Sequence, residues 1–89
     1  MNFNENWHVA IDPSVYKTLL RISQKDAGRL VKALDELVRD PYAGDISKLR
    51  GHANVWRRRI GSYRIFFELS VPTKRIDVFE IERRNSKTY

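Results

Sequence analysis

VWRRRIGSYRIFFE, residues 55–68, sets four arginines among large apolar side chains. The Gly61-Ser62 pair divides the stretch into two short segments, and a two-residue turn of this kind is typical of a β-hairpin. Because side chains alternate between the faces of a strand, Arg57 and Arg59 share one face, which Arg64 can also occupy. The opposite face takes Trp56, Arg58, Ile60, Tyr63, Ile65, Phe67 and Leu69. The stretch therefore predicts a hairpin with a basic surface on an apolar backing.

Three neighbouring guanidiniums on one sheet face have two interpretations. The first is a solvated face that keeps the protein soluble, where exposed charges contribute little to stability. The second is a site for phosphate, because the guanidinium fork binds two phosphate oxygens at once and stays charged at physiological pH. The residues of the hairpin alone leave both interpretations open.

The composition is that of a small basic domain. The chain has 89 residues, 42% of them hydrophobic, so residues 1–89 are predicted to form one domain around one core. It has no cysteine, which excludes disulfides and cysteine-ligated zinc. No apolar run approaches the roughly 20 residues that span a bilayer, and residues 1–8 lack the features of a signal peptide, so we expect a soluble, cytoplasmic protein. The formal charge of +6 favours nucleic acid, an anionic membrane surface or an acidic protein as partner.

The order of the predicted elements indicates an α+β fold. Asp12 and Pro13 are suited to begin a helix, Ser23 can cap a second one, and Pro41 ends it. In order, the elements are a strand at residues 7–11, a helix at 13–22, a helix from Ser23 to Asp40, a loop at 42–54, the two hairpin strands and a strand at 75–83. This β-α-α-β-β-β order predicts a mainly antiparallel sheet covered on one face by a two-helix hairpin. The hairpin arginines should lie on the other, open face.

The loop at residues 42–54 carries a short basic segment between glycines. Lys48 and Arg50 flank Leu49, which could anchor the segment on the core. A long loop of defined character beside a basic sheet is more often functional than filler. Lys48 and Arg50 are therefore candidates to bind an anionic ligand.

Three segments together resemble the RelE branch of the RelE/ParE toxin superfamily. They are KLRG (residues 48–51), WRRRIGSYRIFF (56–67) and IERRNSKTY (81–89). The resemblance covers nearly the whole chain and implies the RelE-like fold. It also implies a ribonuclease toxin that cuts messenger RNA in the ribosomal A site without a metal or other cofactor. Its expected partners are the messenger, the ribosome and a RelB-like antitoxin with an acidic segment. No membrane partner is expected.

The resemblance also implies the site residues. The expected catalytic residues are Arg57, Arg59, Arg64, Arg83 and Tyr89, and the expected RNA-binding residues are Lys48, Arg50, Arg58, Arg84 and Lys87. The match does not distinguish Arg83 from Arg84 as the catalytic arginine. Some members have lysine at the position of Arg59, and arginine is a poor base, so the general base stays unassigned among Glu68, Glu80, Glu82 and His52.

Two other functions are compatible with the sequence. The ParE branch has the same fold and inhibits DNA gyrase, although those proteins generally lack the full set of arginines and the tyrosine found here. The second alternative is a basic module that binds RNA without cutting it, or an inactive remnant of a toxin. A role at a membrane surface is the weakest alternative, because no predicted helix combines a basic face with a large apolar face.

Overall fold

The computed structural model describes residues 7–84, which form two helices packed on one face of a five-stranded sheet. The helices are α1 (Pro13–Arg21) and α2 (Gln24–Arg39), and the strands are β1 (His8–Ile11), β2 (Asp45–Lys48), β3 (Val55–Ile60), β4 (Tyr63–Ser70) and β5 (Arg75–Arg83). The strand order is β1-β5-β4-β3-β2, with β1 parallel to β5 and the other pairs antiparallel. The predicted α+β fold with one open sheet face is confirmed.

Both helices begin at the residues whose side chains were expected to cap them. The Asp12 carboxylate accepts a hydrogen bond from the backbone N–H of Ser14 at 2.9 Å, and Pro13 occupies the first turn. The Ser23 hydroxyl accepts one from the backbone N–H of Asp26 at 3.1 Å. Such caps satisfy backbone donors that have no partner within the helix. Neither helix in the described part of the chain is long and apolar enough to cross a membrane.

The core lies between the two helices and the near face of the sheet. Its buried apolar residues are Val15, Leu30, Ala33, Leu34, Leu37, Tyr63, Ile65, Phe67, Leu69, Ile76, Val78 and Ile81. Alternate residues of β4 are buried from Tyr63 to Leu69, which confirms the face that the sequence assigned to them. The other residues of β4 consequently point to the open face.

Strand β2 corrects the prediction that residues 42–54 are all loop. It pairs antiparallel with β3, with Asp45 opposite Arg59 and Ser47 opposite Arg57. Four residues with one apolar member, Ile46, are too few to give a strand pattern, so this strand depends on its pairing with β3. The pairing places Asp45 and Ser47 on the open face next to the arginines.

A β-bulge interrupts the pairing of β4 with β5. Phe66 is opposite Glu80 and Phe67 is opposite Val78, so Phe79 is the extra residue of β5. Val78 and Ile81 are three positions apart and could not share one face of a regular strand, yet both are buried. The bulge allows this, and it leaves both Phe79 and Glu80 outside the core.

Candidate phosphate-binding site on the open sheet face

The arginines of the β3–β4 hairpin meet on the open face. Arg59 is directly opposite Arg64 in the strand pairing, and Arg57 lies two residues along β3 on the same face. The Cβ atoms of directly opposite residues in such a pair are about 4.5–5.5 Å apart. The side chains of Arg57, Arg59 and Arg64 are therefore close neighbours, as the alternation predicted.

These arginines line a cleft of about 140 Å³. In the described part of the chain its lining consists of Asp45, Ser47, Arg57, Arg59, Arg64 and Arg84. A water molecule occupies about 30 Å³ in the liquid, so the cleft has room for a few waters or for one tetrahedral oxyanion. Four guanidiniums around so small a volume create a local positive potential suited to a phosphate group.

The cleft arginines are only partly neutralised by protein groups. Arg57 donates from Nε to the neutral hydroxyl of Ser47 at 3.0 Å. Arg64 forms an ion pair with Glu82, whose Oε1 lies 3.5 Å from the guanidinium. The excess of positive charge means that an external anion would be attracted to this face.

The structure distinguishes the two arginines at the end of β5. Arg84 lines the cleft, and its backbone N–H bonds to the carbonyl of Ser62 in the hairpin turn. Arg83 is opposite Tyr63, and its guanidinium carbon lies 5.6 Å from the centre of the Tyr63 ring, on the side of the helices. Counting by twos from buried Ile81 would have indicated the same assignment. Of the two arginines that the sequence match did not distinguish, Arg84 therefore lies in the cleft, and Arg83, the expected catalytic residue, lies on the helix side.

Arg58 requires a correction to the predicted RNA contacts. It points toward the helices and is 8% exposed. Its guanidinium donates to the carbonyl oxygen of Ala33 at 3.3 Å and forms a short ion pair with Glu36. Its side chain thus joins β3 to α2 and does not reach the open face. The sequence placed Arg58 on the apolar face, and a charge on that face needs a partner of this kind.

The remaining predicted residues lie away from the cleft or outside the described residues. Lys48 points to the helix side, with Nζ 6.0 Å from the centre of the Trp56 ring. Arg50 is exposed in the connection between β2 and β3. The structure brings neither of them into the cleft, and Lys87 and Tyr89 lie outside the described residues.

Of the four candidate bases, Glu82 is the one placed against a cleft arginine in the described part of the chain. Glu68 on β4 and Glu80 on β5 also lie on the open face, but farther from the cleft. His52 is exposed in the loop before β3. Glu82 is therefore the best placed of the four candidates, next to Arg64 at the edge of the cleft, while Asp45 is the carboxylate in the cleft lining itself.

The ion pair of Glu36 with Arg58 predicts a dependence of stability on pH. The hydrogen bond from Arg58 and its charge lower the pKa of Glu36 below its usual value of 4.5. A carboxyl group with a lowered pKa stabilises the fold above its unfolded pKa, and this contribution is lost as the pH falls through the folded pKa. The free energy of unfolding of the wild type should therefore exceed that of Glu36→Gln by a constant amount at neutral pH, and the excess should shrink below pH 4.5.

Urea unfolding at a series of pH values measures this difference. Asp35→Asn is the matched control, because Asp35 pairs with Arg39 at 3.8 Å on the exposed face of the same helix. Exposed pairs of this kind contribute about 0–1 kcal/mol, so the control should differ little from the wild type at any pH. A difference between wild type and Glu36→Gln that persists unchanged in acid would contradict the assigned role of the pair.

Comparison with solved structures shows which fold this is. A chain of the archaeal RelE-RelB complex from Pyrococcus horikoshii OT3 is 24% identical with a TM-score of 0.78, and the match covers 91% of this chain and 98% of that one. The isolated RelE toxin of E. coli is 17% identical with a TM-score of 0.74, covering 91% and 87%. A YoeB/ParE toxin from Agrobacterium tumefaciens is 19% identical with a TM-score of 0.71, covering 88% and 99%. No protein-family model and no curated protein matches the sequence. The chain has the RelE-like fold that the sequence resemblance implied.

Proposed function

We propose that this protein is the toxin of a type II toxin–antitoxin system and that it cuts messenger RNA in the ribosomal A site. The observation that carries the proposal is the cleft in which Arg57, Arg59, Arg64 and Arg84 converge on the open face of a RelE-like sheet. A solvated face needs no such convergence, whereas a polyanionic backbone is bound by several guanidiniums at once.

The proposed reaction uses a nucleophile that the RNA itself supplies. The 2′-oxygen of one nucleotide attacks the adjacent phosphorus, and the bond from phosphorus to the 5′-oxygen of the next nucleotide breaks. The products are a 2′,3′-cyclic phosphate and a free 5′-hydroxyl. Negative charge grows on the phosphate oxygens in the transition state, and pre-positioned guanidiniums stabilise it. A single well-placed donor contributes about 3 kcal/mol to such a step.

Two protons move in this reaction. Glu82, next to Arg64, is the proposed acceptor of the proton from the 2′-hydroxyl. Arg59 is unsuited to this task, because an arginine guanidinium stays protonated at physiological pH, and it acts instead on the phosphate charge. The leaving 5′-oxygen takes its proton from solvent or from Tyr89, which we also propose to stack on a base of the substrate.

The same positive face supports the proposed antitoxin partner. The structural neighbour from P. horikoshii was solved as a RelE-RelB complex. A RelB-like partner with an acidic segment would neutralise the unpaired charge of the cleft and block access to RNA. The affinity of such a complex should fall as salt is added, because screening weakens contacts between opposite charges.

Inhibition of DNA gyrase is the second candidate function, because the fold is shared with a protein described as a YoeB/ParE toxin. The cleft favours messenger cleavage over gyrase inhibition, because cleavage of a phosphodiester needs positive charge concentrated at the reacting group. Gyrase inhibition gives arrested growth with intact messenger RNA. Messenger cleavage gives fragments with defined ends.

Primer extension on a translated messenger tests the proposal. Wild type, Arg64→Ala, Tyr89→Ala and the control Arg39→Ala, whose side chain lies on the outer face of α2, are each expressed from an inducible promoter. We expect cuts at codon positions with the wild type and the control, and strongly reduced cutting with the other two. Arrested growth with intact messenger would favour gyrase inhibition. Normal growth with intact messenger would favour a binding module or an inactive remnant.

A further inference from the structure

An aromatic pair lies on the open face beyond the cleft. The rings of Phe66 and Phe79 have centroids 6.1 Å apart and are inclined by 33°. Phe66 is half-buried, and Phe79 is 40% exposed. Two phenylalanines side by side on a sheet face without covering helices leave an apolar surface open to a ligand.

The β-bulge produces this pair. Phe79 is the residue of β5 that has no partner on β4, and it reaches the open face while its neighbours Val78 and Ile81 remain in the core. Bulges are enriched next to active sites, where they redirect a side chain. In a regular strand, one outward residue separates two successive core-facing residues. Here the bulge places two outward residues, Phe79 and Glu80, between the core-facing Val78 and Ile81.

The aromatic pair adjoins the arginine cleft. Phe66 is directly opposite Arg57, whose guanidinium is held by Ser47 at the cleft wall. The Cβ atoms of opposite residues are about 4.5–5.5 Å apart, which is short enough for one nucleotide to reach both side chains. A phosphate in the cleft and its neighbouring base can therefore contact the two surfaces together.

The charges around the pair favour one orientation of the nucleotide. On one side lie the cleft arginines. On the other side lie the carboxylates of Glu80, opposite Phe66, and of Glu68, opposite Asp77, whose own charge is paired with Arg75 at 3.1 Å. A phosphate is attracted to the basic side and repelled from the acidic side, so the uncharged base is the part of a nucleotide that fits over the rings.

We propose that Phe66 and Phe79 form a stacking platform for an unpaired RNA base whose phosphate is held in the arginine cleft. The inference rests on the proposed function and names two further contacts for its substrate. Aromatic side chains commonly stack on unstacked bases of single-stranded RNA. Every base has a π-face, so the platform would accept any of the four.

Binding of oligomers with and without one base tests the platform separately from the cleft. The probes are short 2′-O-methyl oligoribonucleotides, which lack the attacking hydroxyl, and a series in which each position in turn is abasic. The measured quantity is the ratio of the Kd for an abasic oligomer to the Kd for the intact one. Stacking on a protein aromatic contributes about 1–3 kcal/mol per base, so for the wild type the ratio at one position should be about 5- to 150-fold.

The variants are Phe66→Leu and Phe79→Leu, which keep an apolar side chain and remove the ring. Each is expected to lower that ratio at least threefold, toward one. Tyr16→Leu is the control, because it removes an exposed aromatic ring from α1 and should leave the ratio unchanged. Arg59→Ala should raise both Kd values and leave the ratio unchanged. Melting temperatures verify that each variant is folded.

A ratio that stays at its wild-type value in both phenylalanine variants would overturn the platform. This is also the result expected if a polypeptide segment, and not a base, covers these rings. The proposed function would survive that result if Arg59→Ala still weakened binding. If instead the phenylalanine variants lowered the ratio but Arg59→Ala left both Kd values unchanged, the result would support the platform and contradict the phosphate cleft. If the wild type bound none of the oligomers, the platform would fall, while the proposed function, in which the ribosome presents the messenger, would still be decided by primer extension.

Discussion

Replacing Arg64 with alanine is expected to lower the rate of messenger RNA cleavage by about 10²- to 10³-fold, the usual effect of removing one donor that stabilises a charged transition state. Arg64 has the central place in the cleft. It is opposite Arg59 on β3 and opposite Glu82 on β5, and Glu82 holds its guanidinium. Its removal takes one positive charge out of the phosphate site and removes the ion-pair partner of Glu82, the proposed base.

Single-turnover cleavage on programmed ribosomes measures this effect. Arg64→Lys should fall between wild type and alanine, because an ammonium keeps the charge and loses the two-pronged contact with phosphate. Arg39→Ala should cut at the wild-type rate. Arg64 is partly exposed on a face without covering helices, so the fold and its melting temperature should change little. A folded Arg64→Ala variant that cuts within a few-fold of the wild type would exclude this cleft as the reaction site.

Alternation and capping explain why so much of the fold could be predicted. Alternation along the hairpin assigns the side chains from Trp56 to Ile60 and from Tyr63 to Leu69 to the faces on which the structure has them. Asp12 and Ser23 begin their helices because their side chains accept backbone N–H groups, a local effect that sequence shows directly. These features depend on near neighbours along the chain.

What the sequence did not predict depends on contacts between distant segments. Strand β2 has one core-facing apolar residue and exists through its pairing with β3. The bulge at Phe79 follows from the need to bury both Val78 and Ile81. Arg58 was assigned to RNA through the family resemblance, yet its own alternation already placed it among core residues. Its partner Glu36 is 22 residues away in the chain, and no local pattern indicates that pairing.

The position of Arg58 predicts a structural role for this residue. Its guanidinium bonds to Ala33 and Glu36 of α2. It also lies against Gly44, just before β2, where a Cβ atom would come within 2.6 Å of Arg58 Nε. Gly44 has a φ of +84°, a conformation that glycine adopts without strain. One side chain thus holds α2, the start of β2 and the centre of β3 together.

Replacing Arg58 with alanine is therefore expected to lower the free energy of unfolding by about 2–3 kcal/mol, because hydrogen bonds of a buried charged group are lost. For a domain of this size the melting temperature should drop by roughly 10–20 °C. Chemical unfolding and thermal melting measure both quantities. Arg75→Ala is the matched control, since Arg75 is an exposed strand arginine that pairs with Asp77 at 3.1 Å, and its removal should change stability by less than about 1 kcal/mol.

A double-mutant cycle of Arg58→Met with Glu36→Gln separates the ion pair from the packing of the arginine stem. The coupling free energy should be about 0.5–3 kcal/mol, the range found for residues in direct contact. A coupling near zero would mean that Arg58 stabilises the protein through its stem and its bond to Ala33 alone. Arg57 and Arg59 flank Arg58 on β3, so the same variants also test whether Arg58 fixes, from the helix side, the strand that carries the cleft arginines. If it does, Arg58→Met and Glu36→Gln should each raise the Kd of the protein for RNA, although Arg58 itself does not reach the open face.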